Sequence, residues 1–380
     1  MKSSSQPLLG LRIIEFAGIG PGPMAGMMLA DMGAEVIVID RAADVHPRNQ
    51  TMACQRGKRS LALNLKTEEG IALAWQLIES ADALIEGFRP GVMERLGFGP
   101  TEVAERNPRL VFGRITGWGQ TGPLAQAAGH DINYVALTGA LNTSRRGNAL
   151  PVLPATLVGD MGGGAMFLLF GLMCALHEAR SSGQGQVVDA AIIDGVASMG
   201  ALVQQMREIQ YWSDDPAQNF FLNTSPFYDS FACADGKLIT LGAIEPQFYA
   251  ELLQRLGFTE VDPKQQYVSH EWPALKAQLA ELIVTKSRAA WCTLLEGTDV
   301  CFAPVLDFDE AAAHPHNVAR KMFVQVEGKR QPAPAPRLSR TPAREPNAGA
   351  RIGQHTDAIL RELGYATEDI ERLREQKAVG

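Results

Sequence analysis

The chain has 380 residues, 46% hydrophobic and 20% charged, enough to bury a large core in more than one domain. A formal net charge of −7 and a pI near 5.6 argue against a general nucleic-acid binder. The five cysteines (Cys54, Cys174, Cys233, Cys292, Cys301) form no Cys-x-x-Cys pair, which argues against a disulfide framework or zinc site and suits reduced thiols in a cytoplasmic compartment.

The opening M-K-S-S-S-Q-P leads into an apolar segment that Arg12 and Glu15 interrupt, so it reads as no signal peptide. The closing Ala378-Val379-Gly380 is not a peroxisomal address. Leu11 to Ala17 is β-branched and apolar and predicts a buried strand. A Gly/Pro turn, a helix from about Met24 to Met32 and a strand Glu35 to Ile39 follow. This βαβ opening implies a parallel sheet with helices on its faces. A helix is expected over Glu68 to Ser80, with strands at Ala83 to Glu86 and Leu110 to Ile115. Gly117 to Pro123 then breaks the chain in a loop. A long helix is expected from Asp160 to about Arg180, then a strand from Gln186 to Ala190. The apolar run Met161 to Leu176 is short for a membrane span and predicts a buried helix. The aromatic, irregular stretch Tyr211 to Ser230 reads as a boundary. Beyond it a smaller unit is expected, with a strand Lys237 to Leu241 and helices Gln247 to Leu256 and Trp272 to Thr285. Pro332 to Pro336 predicts an extended linker, and Thr356 to Gln376 a helical tail.

Gly18-Ile19-Gly20-Pro21-Gly22-Pro23 follows a strand and opens a helix, and Asp40 ends the next strand. These are parts of a dinucleotide fingerprint. The match fails at Pro23, which replaces the third glycine, and at Pro21, which removes a phosphate-facing N–H. The turn is therefore read as a tight strand-to-helix connection.

Three places have residues suited to acid/base chemistry. His130 stands between Gly129 and Asp131. Asp160 stands at the expected N-cap of the long helix, where the dipole favours its carboxylate, and Gly162 to Gly164 after it leave room for a ligand. Glu245 stands between a strand and a helix that opens on Pro246. Each also has a plain reading, as a satisfied loop histidine, a helix cap and a solvated acid. No His-Glu-x-x-His, Gly-x-Ser-x-Gly or His/Cys cluster supports metal hydrolysis or serine-esterase chemistry. Arg41, Arg48, Arg56, Lys58, Arg59, Lys66, Arg89 and Arg95 gather in the first third. Together they fit a polyphosphate handle, although surface solvation explains most such residues one at a time.

Several long segments together resemble the family III CoA-transferase (CaiB/BaiF-like) superfamily, in its α-methylacyl-CoA racemase branch. They are Leu9 to Glu15, Ala30 to Val36, Glu86 to Gly91, Thr116 to Pro123, Gly129-His130-Asp131, Gly159-Asp160 and Gly353 to Thr356. The resemblance implies an α/β fold with a large Rossmann-like CoA-binding domain (1–215 and 331–380) and a smaller α+β domain (216–330). It also implies an interlocked homodimer with active sites between subunits. Arg41, Asn64, Leu65, Lys66, Phe88, Arg89, Pro90, Arg95, Gly129, Asp131 and Tyr134 would lie along the CoA channel.

The superfamily splits into transferases, whose aspartate is a nucleophile, and racemases, whose aspartate faces a histidine as an acid/base pair. His130 opposite Asp160, with Glu245 as partner of the histidine, and the lack of a glycine run between Asn223 and Glu245, favour the racemase branch. The resemblance thus implies an isomerase of lipid metabolism that epimerises 2-methylacyl-CoA thioesters through an enolate. The backbone N–H of Asp160 and the glycine amides after it are candidate enolate donors. No metal or redox cofactor is expected, since coenzyme A is part of the substrate, and neither nucleic acid nor membrane is an expected partner. A CoA-transferase using Asp160 as nucleophile is the alternative, and a non-catalytic CoA-binding relative is a third reading.

Overall fold

Six short runs rich in Ile, Val, Leu and Ala pair in parallel. They are β1 (Arg12–Phe16), β2 (Glu35–Arg41), β3 (Arg59–Leu63), β4 (Ala83–Glu86), β5 (Val111–Thr116) and β6 (Val187–Ala191), ordered β3-β2-β1-β4-β5-β6. Strands covered on both faces lose the alternation of half-exposed ones, which is why Val36 to Ile39 of β2 and Ala83 to Ile85 of β4 are unbroken apolar, buried runs. The helices between them are α1 (Pro21–Asp31), α2 (Glu68–Glu79), α3 (Val92–Arg95), α4 (Pro100–Arg106), α5 (Asp131–Leu137) and α6 (Phe167–Ser182), and α7 (Ile192–Met199) follows the last strand. α1 begins three residues before its expected start, because prolines at 21 and 23 fall in the first turn, where no N–H is needed. The computed structural model describes residues 6–46, 52–146 and 149–380. Arg48, one of the clustered basic residues, lies outside the described residues, as does the start of the N-terminal segment.

The chain forms two units. The larger comprises Met1–Thr138, Pro154–Met199 and Lys321–Gly380, and the smaller comprises Gly139–Leu153 and Gly200–Arg320. The division falls at 199 and 321, where the sequence suggested 215 and 331. The physical reason at the second boundary is Arg56. Its guanidinium donates to Gln331 Oε1 at 3.2 Å and to the Pro332 carbonyl at 2.7 Å, which ties the hairpin β10 (Phe323–Val326) and β11 (Lys329–Pro332) to the larger unit. Residues 139–153 join the smaller unit, where Arg146 donates to Asp229 at 2.6 Å and Ser230 at 2.9 Å. That unit also holds α8 (Ala201–Glu208), helices α9 (Pro246–Leu256), α10 (Trp272–Ile283) and α11 (Arg288–Leu295), and an antiparallel sheet of β7 (Tyr228–Ala232), β8 (Leu238–Gly242) and β9 (Phe302–Pro304). Its core is aromatic, with Phe227, Tyr249, Trp272 and Trp291 all buried.

β3 was not legible in the sequence. It is an edge strand preceded by Arg56 and Lys58, and the C-terminal tail completes its hydrogen bonding. The Ser60 N–H donates to His355 Nδ1 at 3.2 Å, the Ala62 N–H donates to Thr356 Oγ1 at 3.2 Å, and Leu63 bridges Val379. Covering an edge in this way blocks pairing with other chains. Three of the clustered cations are structural. Lys58 and Glu15 form a pair whose side chains are 0% and 1% exposed, and Arg56 is buried against Asp31. Arg59 binds Glu35 and Glu362.

A continuous helical run covers 157–182, with an i+5 segment, Leu157–Met166, leading into α6. By length and composition it could cross a membrane. One face, including Leu168, Leu172, Ala175 and Leu176, is buried, and Gly113 of β5 leaves room for Leu168 and Leu172. Gly162 to Gly164 were expected to cradle a ligand. Gly163 and Gly164 are instead buried, and a Cβ on Gly163 would come within 2.6 Å of Val196 and one on Gly164 within 3.0 Å of Ile192. They allow the helical run to cross α7 closely.

Candidate active site

The strand order reverses direction between β1 and β4, and in open parallel sheets the crevice at the carboxyl ends of such strands takes the ligand. A cavity of about 400 Å³ lies there. Its walls are Ile19, Gly20 and Pro21 after β1, Gly87 to Pro90 after β4, and Thr116 to Trp118 after β5. Ala127 to His130, Tyr134 and Asp160 also line it. The cavity brings together the two proposed bases and the expected residues Phe88, Arg89, Pro90, Gly129 and Tyr134.

His130 caps α5, and its N–H donates to Asn133 Oδ1 at 3.0 Å, which sets the backbone from which the exposed imidazole projects. Tyr134 packs edge-on against Trp118, with ring centroids 4.8 Å apart, and its hydroxyl donates to the Gly129 carbonyl. A Cβ on Gly117 would lie 2.0 Å from the Tyr134 ring, so only glycine admits that ring. Burial and the nearby Asp160 carboxylate push the Tyr134 phenol above its ordinary range, against the pull of Arg89.

Asp160 is half-buried and faces the Gly20 turn, since a Cβ on Gly20 would lie 3.9 Å from its Oδ2. It is not the helix N-cap. Thr156 takes that position with φ 63, and Asp160 is the fourth residue of Leu157–Met166. The expected dipole-favoured carboxylate is also corrected. Desolvation first, then the Asp131 charge, raises the Asp160 pKa, and His130 only partly opposes them. Nor is the Asp160 N–H free for an enolate, because it donates to Asp131 Oδ1 at 2.8 Å. Asp131, expected along the CoA channel, is buried, and it also accepts from the Thr156 N–H at 3.2 Å.

The remaining channel residues do not line this cavity. Arg41 ends β2, while Asn64, Leu65 and Lys66 follow β3 and Arg95 ends α3. Asn64 is engaged with the Lys377 carbonyl at 3.0 Å, and Leu65 packs on the core. Arg41, Lys66, Arg89 and Arg95 are exposed and make no ion pair among the described residues. Glu245, in the smaller unit, is exposed and immediately precedes α9, whose first residue is Pro246 as expected. Sequence reasoning missed Gly20 and Trp118 as cavity residues. The Gly-x-Gly-Pro and Gly-Trp-Gly turns were the available signal, because turns at strand ends are what build such crevices. Among the described residues, no group of three or more His, Cys, Asp or Glu is placed to hold a metal.

The model of the family described as CoA-transferase family III matches residues 8–356. An alpha-methylacyl-CoA racemase of Mus musculus is 40% identical over 379 residues, covering 98% of this chain and 97% of that protein. A succinyl-CoA–D-citramalate CoA-transferase of Chloroflexus aurantiacus is 30% identical, with 98% of each chain covered. Among solved structures, a CaiB/BaiF family protein of Brucella suis is similar at a TM-score of 0.80. It is 25% identical, and the match covers 94% of this chain and 99% of that one.

Proposed function

The chain belongs to CoA-transferase family III, and we propose that within it this protein epimerises 2-methylacyl-CoA thioesters by proton transfer at the α-carbon. It is an enzyme of the isomerase class. The observation that carries the reading is one cavity, at the switch point of the sheet, walled by both His130 and Asp160. One base removes the α-proton, the electron pair delocalises onto the thioester oxygen as an enolate, and the other group returns a proton on the opposite face. The resemblance assigns His130 to the S-side proton and Asp160 to the R-side proton. The raised Asp160 pKa suits this exchange, because a carboxyl that holds its proton more tightly is the better matched donor and acceptor at neutral pH.

No net oxidation occurs, and the reaction calls for neither metal nor redox cofactor. Coenzyme A enters as part of the substrate, and its remote binding energy positions the reacting carbon. The unpaired cations Arg41, Lys66, Arg89 and Arg95 are proposed to hold its phosphates. Glu245 is carried in the proposal as the carboxylate that supports protonated His130. Glu245→Gln should then slow the half-reaction in which the imidazolium is the acid more than the one in which imidazole is the base. We also place the enzyme in the cytoplasm as a homodimer. All five cysteines are free thiols, and the helical run 157–182 leaves Leu157, Met166 and Phe170 exposed in the single chain, the last at 71%.

The Chloroflexus relative favours a second reading, in which Asp160 attacks the thioester carbonyl and expels CoA thiolate to leave an acyl-aspartyl anhydride. The thiolate attacks the Asp160 carbonyl to release the first acid as its carboxylate, and the aspartyl thioester passes CoA to a second acid by the reverse steps, freeing Asp160. Incubation of a 2-methylacyl-CoA in D₂O decides between them. Racemisation predicts α-deuterium incorporation without added acid, metal or nucleotide. CoA transfer to an added acid with no α-exchange would replace the proposal with the second reading.

A further inference from the structure

Asp131 shares the Gly-His-Asp motif with His130 but does not line the cavity. Its buried carboxylate does something else. Oδ2 accepts from the Thr156 N–H at 3.2 Å and Oδ1 from the Asp160 N–H at 2.8 Å, so one side chain grips both ends of the turn that carries the base. That turn is unusual in two ways. Thr156 sits at φ 63, a conformation that non-glycine residues keep only when their surroundings hold them there. The Met161 N–H bonds to the Thr156 carbonyl at 2.9 Å, five residues back, so the helix begins in a wider register than an α-helix. Relaxation to ordinary α register would rotate residue 160 about the helix axis. Gly159 makes the grip possible, because a Cβ there would lie 2.4 Å from Asp131 Oδ1 and 3.0 Å from Val135.

We propose that Asp131 is a positioning residue for the racemisation, clamping Thr156 and Asp160 so that the Asp160 carboxylate faces the cavity. The role rests on the racemase reading above. It has a second consequence. Of the charged and titratable groups around Asp160, His130 precedes α5, Asp131 and Tyr134 lie on it, and Arg89 reaches Tyr134 from the loop after β4. Asp131 is the one whose charge adds to burial in keeping a proton on Asp160.

The test compares Asp131→Asn, Asp131→Ala and Gly159→Ala with wild type. Displacing a reacting group by about 1 Å costs on the order of 10²-fold in rate. Asp131→Ala should therefore lower kcat for α-proton exchange by about 10²-fold while KM for the acyl-CoA changes by less than about threefold. Gly159→Ala, which leaves both carboxylates in place but drives a methyl into Asp131 Oδ1, should show the same split. Asp131→Asn keeps one oxygen to accept an N–H, so it should recover part of kcat, with the acid limb of the pH profile moved to lower pH. A parallel titration of Asp160 by ¹³C NMR, assigned with Asp160→Asn, should move down in Asp131→Asn. Wild-type kcat and pH profile in both Asp131 variants would overturn the proposal, as would kcat and KM losses that track melting temperature alone. If wild type shows no α-exchange, the racemase reading fails, and the NMR titration still decides the clamp. An unmoved Asp160 titration would overturn it.

Discussion

Replacing Lys58 by methionine should unfold the larger unit long before it affects coenzyme A recognition. Lys58 Nζ donates to Glu15 at 2.9 and 2.7 Å and to the Pro23 carbonyl at 2.8 Å, with both charged side chains essentially removed from water. Methionine keeps the length but leaves a buried carboxylate and a carbonyl without partners. Breaking a pair of this kind by removing one member costs about 3–5 kcal/mol. For a unit of this size, about 2–4 °C per kcal/mol corresponds to a fall in Tm of roughly 6–20 °C. Burial, the largest influence on Glu15, raises its pKa, and Lys58 opposes that rise, so removing the lysine raises it further. The sign follows. A carboxyl whose folded pKa lies above its unfolded value favours the folded state at pH below the unfolded value, and that advantage is lost as pH rises through the folded one. Lys58→Met should thus be least stable at neutral and higher pH and partly recover in acid. Glu15→Gln/Lys58→Met should regain more than half of the loss, because the buried charge is gone. Thermal and urea unfolding of the two single variants and the double variant form the assay. A Lys58→Met protein of wild-type stability that binds CoA thioesters weakly would refute the reasoning and return Lys58 to the phosphate handle.

His130→Ala and Asp160→Ala should each lose racemisation by roughly 10²–10⁴-fold, yet His130→Ala should keep some washout from the R epimer and Asp160→Ala from the S epimer. Deuterium washout from pure epimers measures this, and wild-type washout of both epimers by His130→Ala would remove His130 as a base. R-epimer washout, which needs the Asp160 carboxylate, should fall as pH drops through the raised pKa of that group, a limb that a pH–rate series would show absent if Asp160 is not the base. Arg41→Ala should weaken CoA thioesters by about tenfold, one charge-assisted contact, and short thioesters lacking the nucleotide hardly at all. Calorimetric titrations with equal losses would make the residue structural. Gly195→Ala would put a Cβ 1.9 Å from the Gly163 carbonyl and should lower stability by about 1–3 kcal/mol, read from unfolding curves.

Local pattern determined much of this protein. The apolar runs at β1, β2, β4 and β5 and the helices α1, α2 and α6 were readable because period and turn chemistry are properties of adjacent residues. The Gly-His-Asp and Gly-Asp segments likewise marked His130 and Asp160 before any coordinates. What the sequence could not supply was pairing between distant residues. β3 exists as a strand because a tail nearly 300 positions away satisfies its edge. Lys58, Arg56 and Arg59 look like a phosphate handle in one dimension, and become buried or bridged ion pairs once Glu15, Asp31 and Glu362 are folded against them. Asp160 read as a cap with a favoured carboxylate. Only the fold brought Asp131 to its amide and closed enough protein around it to raise its pKa, because desolvation and like-charge proximity depend on three-dimensional neighbours and not on chain order.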